Sequence, residues 1–247
     1  MRRALPRLII TADDLGRDTA CTSAIVASLS SGSITSASIM ANGECFAEAC
    51  ALVRSQRLEG RIGVHLALDE GPPLSREMQR FASADGELCV SRRLSPLSRE
   101  LAAAIVAECS AQIDRVISAG ITPTHLDSHR HIHTVFPIGR LVVKLALRYK
   151  IPYVRPARNL TTERSSLRRT YKWLFNRYVS AHVLTAQYFG DIVDFFTHRY
   201  RVDAVTECMI HLDESERGLT GRRLLVDPSF QDFLHGYELV THSQAWQ

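Results

Sequence analysis

Short apolar runs alternate along this chain with longer stretches of helical period. Residues 7–12 (RLIITA) form a continuous apolar run, the pattern of a strand covered on both faces. Residues 18–31 read as a helix that stops at Gly32, and 34–40 as a second strand rich in Ser, Thr and Ile. A helix over 44–56 and a strand over 61–68 (RIGVHLAL) follow. Residues 69–96, with Gly, Pro, Ser and Asp, read as a long loop, which in a compact domain is usually functional. A strong helix over 97–119 closes at Gly120, a fourth strand covers 121–127, Pro137 opens a helix, and 151–155 is a fifth strand. Beyond it the pattern gives a basic helix over 163–178, no settled period over 187–200, a strand over 207–212 and a closing helix over 228–240. Repeated βα units predict a parallel α/β fold, and about seven of them favour closure into an irregular (β/α) barrel. No repeat or low-complexity linker divides the chain, so 1–247 is expected to be a single domain.

Composition narrows the class. Of 247 residues, 45% are hydrophobic and 23% charged, as in soluble globular proteins and unlike disordered chains. No apolar run approaches the ~20 residues of a spanning helix, so no membrane span is expected. The charged stretch 1–7 lacks the apolar core of a secretory leader. The net charge of +4 comes mostly from arginine, since Lys144, Lys150 and Lys172 are the only lysines. These arginines are spread among the acids rather than gathered into one stripe, which fits codon composition better than nucleic-acid binding. The six cysteines (Cys21, Cys45, Cys50, Cys89, Cys109 and Cys208) make no C-x-x-C pair, and the chain is too long for a disulfide-stapled scaffold. A reduced, cytoplasmic protein is the expectation.

Polar residues gather where parallel α/β folds keep their sites, at the C-terminal ends of strands. The first strand ends in Asp13-Asp14, the third carries His65, and the fourth leads into His125-Leu126-Asp127-Ser128-His129-Arg130-His131-Ile132-His133. If extended, His129, His131 and His133 would share one face. Asp14, His65 and His129 make a two-histidine, one-carboxylate set that would leave coordination positions open, as a catalytic metal requires. Asp13 is placed to accept a proton, and His211, at the end of a late strand, to donate one. A turn-capping acid pair and a packed histidine are the bland alternatives for the single motifs.

Taken together and in order, Ala12-Asp13-Asp14-Leu15-Gly16, Ile34-Thr35-Ser36, Gly63-Val64-His65-Leu66 with Glu70-Gly71-Pro72-Pro73-Leu74, and Thr124-His125-Leu126-Asp127-Ser128-His129 resemble the YdjC-like carbohydrate deacetylases. That group holds the chitooligosaccharide deacetylases and the hopanoid-associated HpnK proteins. The resemblance covers residues 7–156 well. It implies a polysaccharide-deacetylase-like barrel and a metal-dependent hydrolase that removes the acetyl group from an N-acetylated sugar. Carried over by position, Asp14, His65 and His129 would hold one divalent metal, zinc, magnesium or another transition ion. Asp13 would be the general base and His211 the general acid. Arg155 would orient Asp13 or the substrate, while Asp127, His131 and His133 would line or support the cleft. The substrate's form stays open: free, phosphorylated, nucleotide-linked or lipid-linked. A homodimer is compatible with the resemblance. The family's His-Pro-Gly is here His211-Leu212-Asp213, and its glycine-rich late segment is reduced to 185–190.

Two other readings compete. One is a different metal-dependent barrel hydrolase, such as a phosphoesterase. The other is a nucleic-acid-binding protein using the basic and aromatic 155–177 segment, against the plainer view of a solvated helix with an apolar stripe at Leu167, Tyr171, Leu174 and Tyr178.

Overall fold

A computed structural model describes residues 4–91, 96–200 and 202–247. Residues 1–3 of the charged N-terminal stretch and 92–95 of the long loop lie outside the described residues. The chain runs β1 (Arg7–Leu15), α1 (Thr19–Ser31), β2 (Ser36–Ile39), α2 (Phe46–Ser55), β3 (Ile62–Leu66), α3 (Arg76–Gln79) and α4 (Arg99–Ser118). It continues through β4 (His125–Ser128), α5 (Phe136–Tyr149), β5 (Tyr153–Val154), α6 (Ser166–Ser180), β6 (Tyr188–Asp191) and α7 (Ile192–His198). It ends with β7 (Thr206–Ile210), α8 (Glu216–Leu225), α9 (Pro228–Leu234) and β8 (Glu238–Leu239). Seven parallel strands in the order β5-β4-β3-β2-β1-β7-β6 curl into a half-barrel flanked by helices. Backbone bonds bridge the gap between β5 and β6: Val154 N–H to Leu184 O at 3.1 Å, and Asn159 N–H to Phe189 O at 3.1 Å.

The strands are buried on both faces, but the faces differ. Ile10, Ala12, Ala37, Ile39, Val64, Leu126, Val154, Cys208 and Ile210 join the apolar core, which includes residues from the flanking helices. Their neighbours along the strands alternate with them and share the other face. Those are Thr11, Asp13, Ser36, Ser38, His65, His125, Asp127, Tyr153 and Glu207, all buried. Register aligns them across strands, Thr11 with Ser36 and His65 with Asp127. The barrel axis is therefore polar. Gly63 sits there because a Cβ would come within 2.4 Å of the His125 ring.

Side-chain caps start the helices: Asp18 accepts from Cys21 N–H, Ser98 from Leu101 N–H, and Ser165 from Arg168 N–H. Three expectations change. The ambiguous 187–200 region divides at Asp191, whose carboxylate caps α7. The closing helix over 228–240 stops at Leu234, and the chain turns at 235–237 so that Glu238 and Leu239 can pair with Arg7 and Leu8 as β8. In α6 the buried face is Phe175 and Val179, while Leu167 and Leu174 of the expected stripe are 79% and 54% exposed.

Candidate active site

The two adjacent aspartates leave β1 in different directions. The β1–β2 register breaks between Ala12 and Leu15, and Asp14 takes a left-handed φ of 71°. A bulge at a strand end re-aims side chains, and a non-glycine residue held there stores of order 1 kcal/mol of strain. Asp13 points along the axis to Arg155, which grips it with two 2.8 Å hydrogen bonds. Arg155 also donates from Nε to Glu207 at 2.9 Å and lies 2.7 Å from Asp127. One buried guanidinium thus serves three buried carboxylates. The Asp13 carboxyl is held well below the usual range: burial pushes it up, but Arg155, His65 and His211 outweigh that.

Asp14 turns instead toward His65. Its Oδ2 accepts from Arg17 at 3.1 Å, and Arg17 reaches Asp213 at 2.9 Å. Its Oδ1 is buried and takes no hydrogen bond, although His65 Nε2 lies only 3.1 Å away. His65 Nδ1 is 2.8 Å from Asp127, a carboxylate that can only accept, so Nδ1 carries the proton. In a neutral ring, Nε2 would then present a lone pair to the orphaned oxygen. Such an arrangement calls for a cation between them. Burial disfavours a charged ring, yet Asp127, Asp14 and Asp13 raise the His65 pKa well above its ordinary value, so these carboxylates favour a positive charge here, carried by a ring proton or by a cation.

His129 repeats the pattern. Its Nδ1 is 2.9 Å from Asp69, its Nε2 is 3.4 Å from Glu70, and its ring centre is 6.0 Å from that of His65. A histidine oriented at one nitrogen by a carboxylate is the usual arrangement of a metal ligand. The tightest group of potential ligand atoms among the described residues is nevertheless Asp13, His65 and Asp127, all within 4.8 Å of one another. That buried group is compact enough to hold a cation. Its two carboxylates already share Arg155, so the unsatisfied oxygen of Asp14 marks a better seat. Asp14, His65 and His129 face the same region without forming so tight a group. Asp13, Asp127 and Glu207 share the one guanidinium of Arg155, and Asp14 shares Arg17 with Asp18 and Asp213, a surplus of negative charge that also fits a divalent cation.

The remaining histidines part company, because Arg130 and His131 take left-handed φ values of 46° and 57°. The expected single face of His129, His131 and His133 is not formed. His133 turns inward: its Nε2–H donates to the Arg155 carbonyl at 3.1 Å, and its Nδ1 meets Ser128 Oγ at 2.5 Å. It therefore holds the backbone of Arg155. His131 packs edge-on to Phe189 at 5.7 Å, with Nδ1 unpartnered. His211 follows β7, half-buried, with a free Nδ1. Burial pulls its pKa down against the opposing pull of Asp13 and Asp14.

Several contributors escaped the sequence reading. Ser38 donates to Asp127 at 2.9 Å, Asp69 orients His129, and Glu207 anchors Arg155. Parity could have found two of them. Glu207 has the strand parity of His211, and Ser38 that of Ser36 on a strand beside His65.

A parallel half-barrel with a buried carboxylate–histidine cluster at its strand ends defines the class as an α/β-barrel-like protein with an enzyme-type site. The family model for YdjC-like protein matches residues 7–242, and the chain belongs to that family. It is 30% identical over 249 residues to a carbohydrate deacetylase of Brevibacillus brevis, covering 96% of this chain and 99% of that protein. It is 36% identical to a carbohydrate deacetylase of Geobacillus stearothermophilus, over 65% of this chain and 64% of that one. Among solved structures, a putative cellobiose-phosphate cleavage protein of Enterococcus faecalis V583 superposes with a TM-score of 0.75 at 21% identity, covering 97% of this chain and 98% of that one. That likeness bears on the fold.

Proposed function

We propose that this protein removes the N-acetyl group from an N-acetylated sugar or sugar conjugate, with the help of one divalent cation, and releases acetate. The observation that carries the reading is the orphaned Asp14 Oδ1 facing His65 Nε2 at 3.1 Å, beside a second histidine oriented by a carboxylate. The deacetylase names of the relatives support the substrate class. Asp14, His65 and His129 would hold the cation, and Asp127 and Asp69 would fix the two rings. A cation in such a site polarises an amide carbonyl and makes water a better nucleophile at neutral pH.

The residues of the chain do the proton work. Asp13 stays ionised across the neutral range and accepts the proton of the attacking water. Arg155 fixes the plane of that carboxylate, and Glu207 and His133 fix Arg155. His211, close enough to feel both aspartates, protonates the departing amine nitrogen. Arg17 and Asp213 lie beside Asp14 and make the departure from the family's His-Pro-Gly part of the same cluster. A phosphoesterase is less well served, because the buried surplus of carboxylates repels a phosphate at the reacting centre.

The test is acetate release over a panel of N-acetylated sugars, free, phosphorylated, nucleotide-linked and lipid-linked. A chelator should abolish release, and zinc or magnesium added back should restore it. Acetate from none of the panel, or release indifferent to the chelator, would sink the reading.

A further inference from the structure

The basic segment singled out in the sequence does not form one surface. Arg155 lies in the axis, Arg158 is paired with Asp194, and Arg168 with Glu163. What remains gathers elsewhere. A groove of about 1010 Å³ lies between α6 and the segments at 159–163 and 185–187. Arg169, Lys172 and Arg177 line it with Trp173, Thr161 and Thr162. Of the active-site residues described above, none lines it.

We propose that this groove binds a phosphate group carried on a sugar. The acid in its lining, Glu163, has both carboxylate oxygens occupied, one by Arg168 at 3.1 Å and one by the Ser165 N–H at 3.0 Å. Arg169 and Arg177 have no ion-pair partner among the described residues. Arg169 and Lys172 stand three residues apart on α6, where neighbouring cations repel one another unless an anion joins them. Burial lowers the Lys172 pKa against the pull of Glu163, and Arg158 and Arg168 add to the lowering. α6 itself, from Ser166 to Ser180, contains no acidic residue.

The rest of the lining selects the carrier. Trp173 is 60% exposed, and the Arg177 guanidinium lies 6.0 Å from its ring centre. An exposed indole offers a flat face to the C–H side of a pyranose, and threonine hydroxyls bond to sugar hydroxyls or phosphate oxygens. The volume suits a ligand of one or two sugar units. A second copy of the chain is disfavoured, because a two-fold contact through α6 would set like charges against like. Binding here can be read without turnover, so its outcome is independent of the deacetylase reading.

Trp173 supplies the signal. In Trp246→Phe it is the remaining tryptophan, so its fluorescence reports on the groove alone. Glucose 6-phosphate should change that fluorescence saturably, with inorganic phosphate competing and glucose giving no response. Arg169→Gln combined with Lys172→Gln should weaken the binding by about tenfold or more, as the loss of two charge-assisted contacts requires. Both substitutions are at the surface, and an unchanged melting temperature checks that the fold is intact. No saturable response up to about 10 mM, or equal affinity in the double variant, overturns the proposal. So does binding to phosphatidylglycerol vesicles or to oligothymidylate through these residues without any response to glucose 6-phosphate.

Discussion

Arg155 and Asp13, 142 positions apart in the chain, meet in a two-pronged pair, Nη1 to Oδ2 and Nη2 to Oδ1, each 2.8 Å. The pair joins β1 to the end of β5 across the barrel. The same guanidinium is held by Glu207 and Asp127, so its removal would strand three buried carboxylates. Arg155→Gln is expected to cost about 3–5 kcal/mol of stability, the range for breaking a buried ion pair from one side. Arg155→Lys keeps the charge but not the fork, and should recover part of the stability while leaving turnover low. Urea unfolding and acetate release on the same samples separate the two effects.

The paired carboxylates should fail differently. Asp13→Asn should keep the metal and lose turnover by about 10²–10⁴-fold, the usual range for a lost general base. Asp14→Asn should lose metal, and excess metal should restore part of its activity. Metal content and acetate release decide. Equal metal loss in both would mean that the aspartates act as a joint ligand pair.

Asp69 has a narrower job. It accepts from His129 Nδ1 at 2.9 Å and lies at the start of the loop after β3. Asp69→Asn should weaken metal affinity by about 10–100-fold, as losing the partner of a metal-bound histidine typically does. Titration against a chromophoric chelator measures it. Unchanged affinity would remove His129 from the ligand set.

Acid should destabilise the fold through His133. Burial pulls its pKa from 6.5 to about 4, with the Arg155 charge helping and with Asp127 and the hydrogen bond to the Arg155 carbonyl opposing, so the ring donates to that carbonyl and accepts from Ser128 as a neutral group. The unfolded chain therefore takes up this proton first as pH falls. The contribution of the neutral ring is complete above pH 6.5 and is lost progressively between 6.5 and about 4, amounting to roughly 3 kcal/mol. Unfolding free energies across that window, compared with His133→Gln, should show a flatter slope for the variant.

Much of this was legible in the chain because apolar alternation and strand-end chemistry are local. The first five strands and the helices between them follow from period and punctuation, and Asp13, Asp14, His65 and His129 announce themselves by type and position. What was not legible depends on long-range pairing or on special backbone angles. The fate of His131 and His133 turns on two consecutive left-handed residues, which no periodicity reveals. β8 is two residues long and exists because β1 offers it an edge. Glu207 is apolar-strand material by context, and its role appears only when β7 lies beside β1 and Arg155 reaches across.

That placement of β1 bears on how the protein comes to be made. β1, which precedes the other strands in the chain, sits in the middle of the sheet, and Leu8 pairs with Thr206 on β7 and Leu239 on β8. Contacts so distant in sequence form slowly and late. Until β7 is made, one edge of β1, with two aspartates at its tip, has no neighbour. An open apolar edge is an invitation to pair with the wrong chain. That edge is closed only when β7 pairs with β1.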